Sequence, residues 1–187
     1  VTVIERDPSY ARASSALSAS SIRQQFSTPL NIHLSRFGLD FLRQAPQRLG
    51  VDLGLREPGY LFLASAAGEA VLQANHAVQR SENCAVELLD PAALLARFPW
   101  LSTEGVVRGS HGSAGEGWFD GPGLMQALRR TAREQGAAYR AEEVVELAPR
   151  AVRLASGERL EADTVVLAAG AWSGGRAAAA RPAGRCR

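Results

Sequence analysis

The first five residues, Val1-Thr2-Val3-Ile4-Glu5, constrain the chain most. They read as a short apolar strand that ends in an acid and runs into a loop. The second strand of a dinucleotide-binding fold has this form, and its terminal carboxylate accepts hydrogen bonds from a ribose hydroxyl. In such a fold a strand, a Gly-rich turn and a helix, about 30 residues in all, come before it. Here the pentapeptide stands at position 1, with no initiator Met. Two readings are open. It is an ordinary edge strand, or it is the second strand of a protein whose phosphate-binding loop lies upstream.

A length of 187 residues suits one medium domain or parts of two. The apolar share of 46% is that of a globular protein. No apolar run reaches the ~18 residues of a membrane span. All 21 basic residues are Arg, and the net charge of +2 is too small to point to nucleic acid. Cys84 and Cys186 suggest neither a disulfide framework nor a metal site, and His33, His76 and His111 lack zinc-like spacing. A cytoplasmic setting, or a mitochondrial one in a eukaryote, is the expectation.

Local signals place the elements. Leu30, Leu34, Phe37 and Phe41 recur at helical spacing, with Ser27 or Thr28 as cap, Pro29 at the first position and Gly50 as stop. Tyr60–Ala64 reads as a strand after a Pro-Gly turn, 67–80 as a helix and 86–89 as a strand. Asp90-Pro91 caps and opens a helix to Arg97, and 105–109 is the next expected strand. Asp120 caps a helix over 121–135, with Leu124, Leu128 and Ala132 inward and Gly136 as stop. His111, beside Gly112, reads as a surface-loop histidine in preference to a proton carrier. Strands are expected over 138–147, 151–154 and 159–161. The run Thr164–Leu167, almost wholly apolar and ending in Ala168-Ala169-Gly170-Ala171-Trp172, suits a buried parallel strand. Residues 174–187 are rich in Ala, Arg and Gly, and read as a disordered or aberrant tail.

Seven stretches in order then carry a resemblance. They are Val3-Ile4-Glu5-Arg6-Asp7, Ala13-Ser14-Ser15-Ala16-Leu17-Ser18, Gln24-Gln25-Phe26-Ser27, 58–65 (PGYLFLAS), Phe98-Pro99-Trp100, Glu116-Gly117-Trp118-Phe119-Asp120 and 165–173 (VVLAAGAWS). Together they resemble the FAD-dependent oxidoreductases of the D-amino-acid oxidase, glycine oxidase and sarcosine oxidase superfamily. The nearest branch is that of the mitochondrial FAD-dependent oxidoreductase domain proteins linked to complex I assembly.

The resemblance implies an α/β fold: a partial FAD-binding Rossmann-like layer plus part of a mixed-sheet substrate domain. Residues 1–48 and 121–173 would belong to the FAD-binding part, and 49–120 to the substrate part. It implies FAD as cofactor, a small amine or amino acid as substrate, and oxygen or a quinone as electron acceptor. No nucleic acid and no membrane span are implied. Glu5 would hold the adenosine ribose, with Arg6 beside it. Ser14, Ser15 and Ser18 would lie along the pyrophosphate and flavin. Arg23 would reach flavin or substrate. Val144 would meet the adenine through its backbone. Ala168, Ala169 and Gly170 would form the close turn by the cofactor, with Trp172 packed next to it. No catalytic residue is assigned. The implied reaction is oxidation of a C–N bond in a small amino acid or N-methyl amino acid; the alternatives are a non-catalytic assembly protein on the same fold and an inactive fragment. The missing front loop and a parent of about twice this length fit an internal fragment.

Overall fold

The computed structural model describes residues 1–173; the expected tail, 174–187, lies outside them. In chain order the elements are β1 (Thr2–Glu5), α1 (Ser14–Leu17), β2 (Ser21–Ile22), α2 (Pro29–Arg43), α3 (Ala45–Leu49), β3 (Tyr60–Ala64), α4 (Glu69–Ser81), β4 (Val86–Leu89) and α5 (Pro91–Arg97). There follow β5 (Arg108–Gly112), β6 (Gly117–Trp118), α6 (Gly121–Glu134), β7 (Ala138–Ala141), β8 (Val144–Ala148), β9 (Ala151–Leu154) and β10 (Arg159–Glu161). Among the described residues a 3₁₀ turn, Gly170–Trp172, comes last. Two compact units emerge, one of Val1–Leu17 with Leu128 onward, the other of Ser18–Ala127.

In the second unit, β5 is the central strand of an antiparallel sheet, β3-β5-β4. Tyr60 pairs with Gly112 across β3 and β5, and Val86 pairs with the same Gly112 across β4 and β5. The strand expected at 105–109 starts later, because Val106 N–H closes a turn onto the Thr103 carbonyl and the ladder begins where Arg108 meets Ala64. His111 therefore lies on a central strand and is buried, not on a surface loop. Its ring meets Phe98 edge-on at 5.4 Å. The Asp90 carboxylate accepts the Ala93 N–H at 2.8 Å, so α5 has the expected cap.

Two apolar clusters fill this unit. One joins Ile32, Cys84 and Val86 with Phe26 and Val78. The other joins Leu42, Ala45 and Leu53, with Leu49, Phe119 and Leu124 packed on it. The helix expected from Leu30 onward is present with Pro29 at its first turn, but it ends at Arg43, and Gly50 (φ +62°) stops the short α3 instead. Its buried face is Ile32, Leu39 and Leu42. Leu30, Leu34 and Phe37, the face marked out by the helical spacing, are exposed, Phe37 at 73%. The denser apolar stripe is thus the outer one, because the neighbours Cys84, Val86 and Leu53 meet the sparser face.

In the first unit, β1 and β7 pair in parallel from Thr2↔Ala138 to Glu5↔Ala141. The meander β8-β9-β10 follows, with a bulge between Val144 and Glu146. The strand expected at 138–147 is broken at Glu142-Glu143, where the chain leaves β1 for a different sheet. Thr164–Leu167 joins no strand, and Val166 is 81% exposed. An apolar strand needs neighbours on both sides to be buried. Among the described residues, β1 and β7 form a two-stranded sheet that does not include this run. Leu128, expected on the inner face of α6, is exposed, and Ala127 is buried there instead. Among the described residues no helix is long and apolar enough to cross a membrane.

Candidate functional site

β1 delivers Glu5 to the C-terminal end of a parallel pair, the end at which open α/β sheets bind ligands. One carboxylate oxygen, Oε1, accepts the Asp7 N–H at 2.8 Å, which fixes the side chain across the turn. Arg6, next along, places its guanidinium 4.4 Å from the centre of the Trp172 ring and 3.9 Å from the Glu143 carboxylate. Among the candidates drawn from sequence, the structure thus brings Glu5, Arg6, Trp172 and, one residue beyond Glu143, Val144 into one neighbourhood.

Gly170 has φ +54°, a left-handed conformation that explains the glycine, and among the described residues, its chain neighbours aside, no atom lies within 4 Å of where its Cβ would be. Ala168 is exposed and Ala169 partly so. This turn is therefore an open surface of small residues, the form that a backbone approached closely by a ligand requires. Ser14 and Ser15 form the four-residue α1, opened by the Ala13 carbonyl, which accepts the Ala16 N–H at 3.0 Å. Ser18 and Arg23 belong to the other compact unit. Ser18 Oγ accepts the Ser20 N–H at 2.9 Å, where Ser20 takes φ +52°.

A small pocket adjoins Glu5, lined by Tyr10, Arg129, Arg133 and Tyr139 among others, with a free volume of about 60 Å³. It has room for a water or two and not for a nucleotide. Arg129 stacks on Tyr10 and Tyr139 at 5.4 and 5.6 Å, and Arg133 on Tyr139 at 4.9 Å. Burial raises the Tyr10 hydroxyl pKa, with the Glu5 charge adding to it.

In the other unit the Arg23 guanidinium lies over three rings, Phe26 at 4.9 Å, Phe62 at 5.4 Å and Tyr60 at 5.7 Å. Its Nε is buried with no hydrogen-bond partner. Behind it stands a network that sequence reasoning missed. Glu116 is 0% exposed. Its Oε1 accepts the Gln24 N–H at 2.6 Å and its Oε2 accepts Gln25 Nε2 at 2.8 Å. Gln25 Nε2 also donates to the Tyr60 carbonyl at 2.9 Å, and Gln25 Oε1 accepts the Ser110 hydroxyl at 2.6 Å. Burial pushes the Glu116 carboxyl pKa up; the bonds from Gln25 and Gln24 and the Arg23 charge pull it down. A Cβ at Gly112 would collide with this carboxylate, so the glycine on β5 makes room for it. The available signal was that Gln25 and Glu116 both fall inside strings already singled out.

With a carboxylate at the end of a parallel strand and an open small-residue turn in one unit, the sequence comparison is decisive. Residues 1–185 match the profile of the FAD dependent oxidoreductase (DAO) family. The chain belongs to that family. It is 41% identical to bovine FAD-dependent oxidoreductase domain-containing protein 1 over 203 residues, 93% of this chain and 42% of that protein. The Xenopus laevis protein of the same name is 46% identical over 142 residues, 73% of this chain and 28% of that one. The chain therefore spans less than half the length of these curated relatives. Among solved structures it is similar to L-proline dehydrogenase from P. horikoshii, with TM-score 0.79 and 24% identity over 96% of this chain and 48% of that one. Glycine oxidase from Geobacillus kaustophilus gives TM-score 0.78 and 23% identity over 96% and 51%. At these identities the likeness shows the fold, α/β with a partial FAD-binding Rossmann-like layer and part of a mixed-sheet second domain.

The residues present fit FAD. Among the described residues no donor meets the second carboxylate oxygen of Glu5, Oε2, and none fills the space beside the Gly170 backbone.

Proposed function

We propose that the protein of which this chain is part oxidises a C–N bond in a small amino acid or N-methyl amino acid, with FAD as cofactor. The observation that carries the reading is Arg23. It is a guanidinium held over Phe26, Tyr60 and Phe62, with Nε buried and unpartnered. A cation on an aromatic floor suits a carboxylate attached to a small apolar body. The names of similar folds, proline dehydrogenase, glycine oxidase and L-amino acid deaminase, support the substrate class.

FAD, when bound, supplies the two-electron acceptor for a hydride leaving the carbon next to the amine nitrogen. In this reading the chain binds and orients. Glu5 accepts a ribose hydroxyl through Oε2. Arg6 and Trp172 offer a flat stacked pair for the planar end of the cofactor. Ala168, Ala169 and Gly170 admit it closely, with Ser14 and Ser15 along its pyrophosphate and flavin and the Val144 backbone at the adenine. Arg23 takes the substrate carboxylate, and the rings beneath it exclude water. The free, buried Cys84 suits a reducing compartment, cytoplasmic or mitochondrial.

Anaerobic mixing of the full-length flavoprotein with glycine, sarcosine, proline and D-amino acids tests the proposal. Loss of the visible flavin band with one of them is expected. A stable yellow protein that none of these amines bleaches would remove the amine-oxidation reading and leave a binding role on the same fold.

A further inference from the structure

Glu116 is the one acidic side chain among the described residues with no exposure, and no basic group lies within salt-bridge distance of it. Burying a carboxylate this way is costly unless its oxygens are fully engaged, and an apolar side chain could fill the same space. The position of its two bonds indicates what the carboxylate does. They fall on Gln24 and Gln25, the two residues that follow Arg23. Gln25 is in turn tied to the Tyr60 carbonyl and the Ser110 hydroxyl, on the strand that carries two of the rings under Arg23 and on the strand beside it. The Gln24 side chain is fixed as well, accepting Arg36 Nε at 2.8 Å.

We propose that Glu116 is a positioning residue for Arg23: through Gln24 and Gln25 it locks the 23–25 segment to β3 and β5. The guanidinium is thereby held over Phe26, Tyr60 and Phe62, ready for a carboxylate. Pre-organisation of this kind lowers the ordering cost of binding. The inference rests on the carboxylate role given to Arg23 above.

Arg side-chain NMR of the full-length protein tests it. The Arg23 Nε–H signal, identified by its loss in Arg23→Lys, should be displaced upfield by the three rings and slow to exchange with water. Glu116→Gln keeps size and shape but sets an amide NH₂ against the Gln25 NH₂. The upfield displacement and the slow exchange should both be lost. Benzoate, titrated as a simple carboxylate probe, should bind about tenfold more weakly to Glu116→Gln than to wild type. If Glu116→Gln does not fold, Gln25→Met, which deletes both Nε2 donations at similar length, is read the same way. An Arg23 signal that stays in place in these variants would overturn the positioning role. A wild-type Arg23 signal that ignores benzoate would instead count against the carboxylate reading of the preceding subsection, and the two results are independent.

Discussion

Replacing Glu5 tests the assignment of the cofactor end of the first unit. The side chain has one job in the structure and a second in the proposed reading, and they can be separated. Oε1 holds the Asp7 N–H at 2.8 Å, while Oε2 is the oxygen proposed to accept a ribose hydroxyl. Glu5→Ala deletes both. Glu5→Gln keeps a carbonyl for Asp7 and replaces a charged acceptor by a neutral amide. A hydrogen bond to a charged group contributes about 1.5–3 kcal/mol and a neutral one about 1 kcal/mol. At about 1.4 kcal/mol per decade, Glu5→Ala should weaken FAD binding by about tenfold to a hundredfold, and Glu5→Gln by less. Quenching of flavin fluorescence on titration with full-length apoprotein gives the affinities. Thermal melting without FAD supplies the control, since only the Ala variant loses the Asp7 bond. Affinity for FAD within about twofold of wild type in Glu5→Ala would refute placement of this carboxylate at the ribose.

Other outcomes follow from packing and charge. Leu94 is 0% exposed and lies against Gly109, so Leu94→Ala should cost about 2–5 kcal/mol in urea unfolding, and a loss under about 1 kcal/mol would deny the α5–β5 contact its role. Asp90→Ala removes the Ala93 bond and should cost about 0.5–2 kcal/mol, with Asp90→Asn largely neutral by the same measurement. The Glu116 carboxyl is raised in the folded state, so its favourable contribution is complete below its ordinary value of 4.5 and is lost as pH rises through the raised value. The stability of wild type relative to Glu116→Gln, from denaturation at a series of pH values, should therefore fall as pH rises; a relative stability that grew with pH would show the sign to be wrong. Leu34→Lys with Phe37→Lys, on the exposed stripe of α2, should lower light scattering by the isolated chain without lowering its melting temperature.

What the sequence made legible was local. Asp90-Pro91 opens α5 with the expected cap, Pro29 opens α2, and Tyr60–Ala64 is a strand with the expected bounds, because each signal acts within a few residues. Which face of an element is buried was not legible. On α2 the stronger apolar stripe, Leu30, Leu34 and Phe37, lost to Ile32, Leu39 and Leu42. Periodicity shows that a helix has an apolar face; only Cys84, Val86 and Leu53, distant in sequence, decide which face meets them. Thr164–Leu167 shows the same limit for strands, since its apolar run has no ladder partner among the described residues.

The site divides along the same line. The placement of Glu5 at the end of β1 and the left-handed Gly170 in a turn of small residues were readable because each is set within a single short segment. Glu116 was not, since an acid between Gly115 and Gly117 looks like a solvated turn. Its burial depends on Gly112, 4 residues earlier on β5, leaving space, and on Gln24 and Gln25, about 90 residues away, turning their donors toward it. A buried carboxylate is tolerated only when such donors converge, so it cannot be inferred from its own neighbours in sequence. The same convergence is why it bears on function. Glu116 holds the 24–25 segment from about 90 residues away, and Gln25 carries that hold on to Tyr60 of β3 and Ser110 of β5, so the relative placement of Arg23 and the rings beneath it depends on contacts that no single stretch of sequence contains.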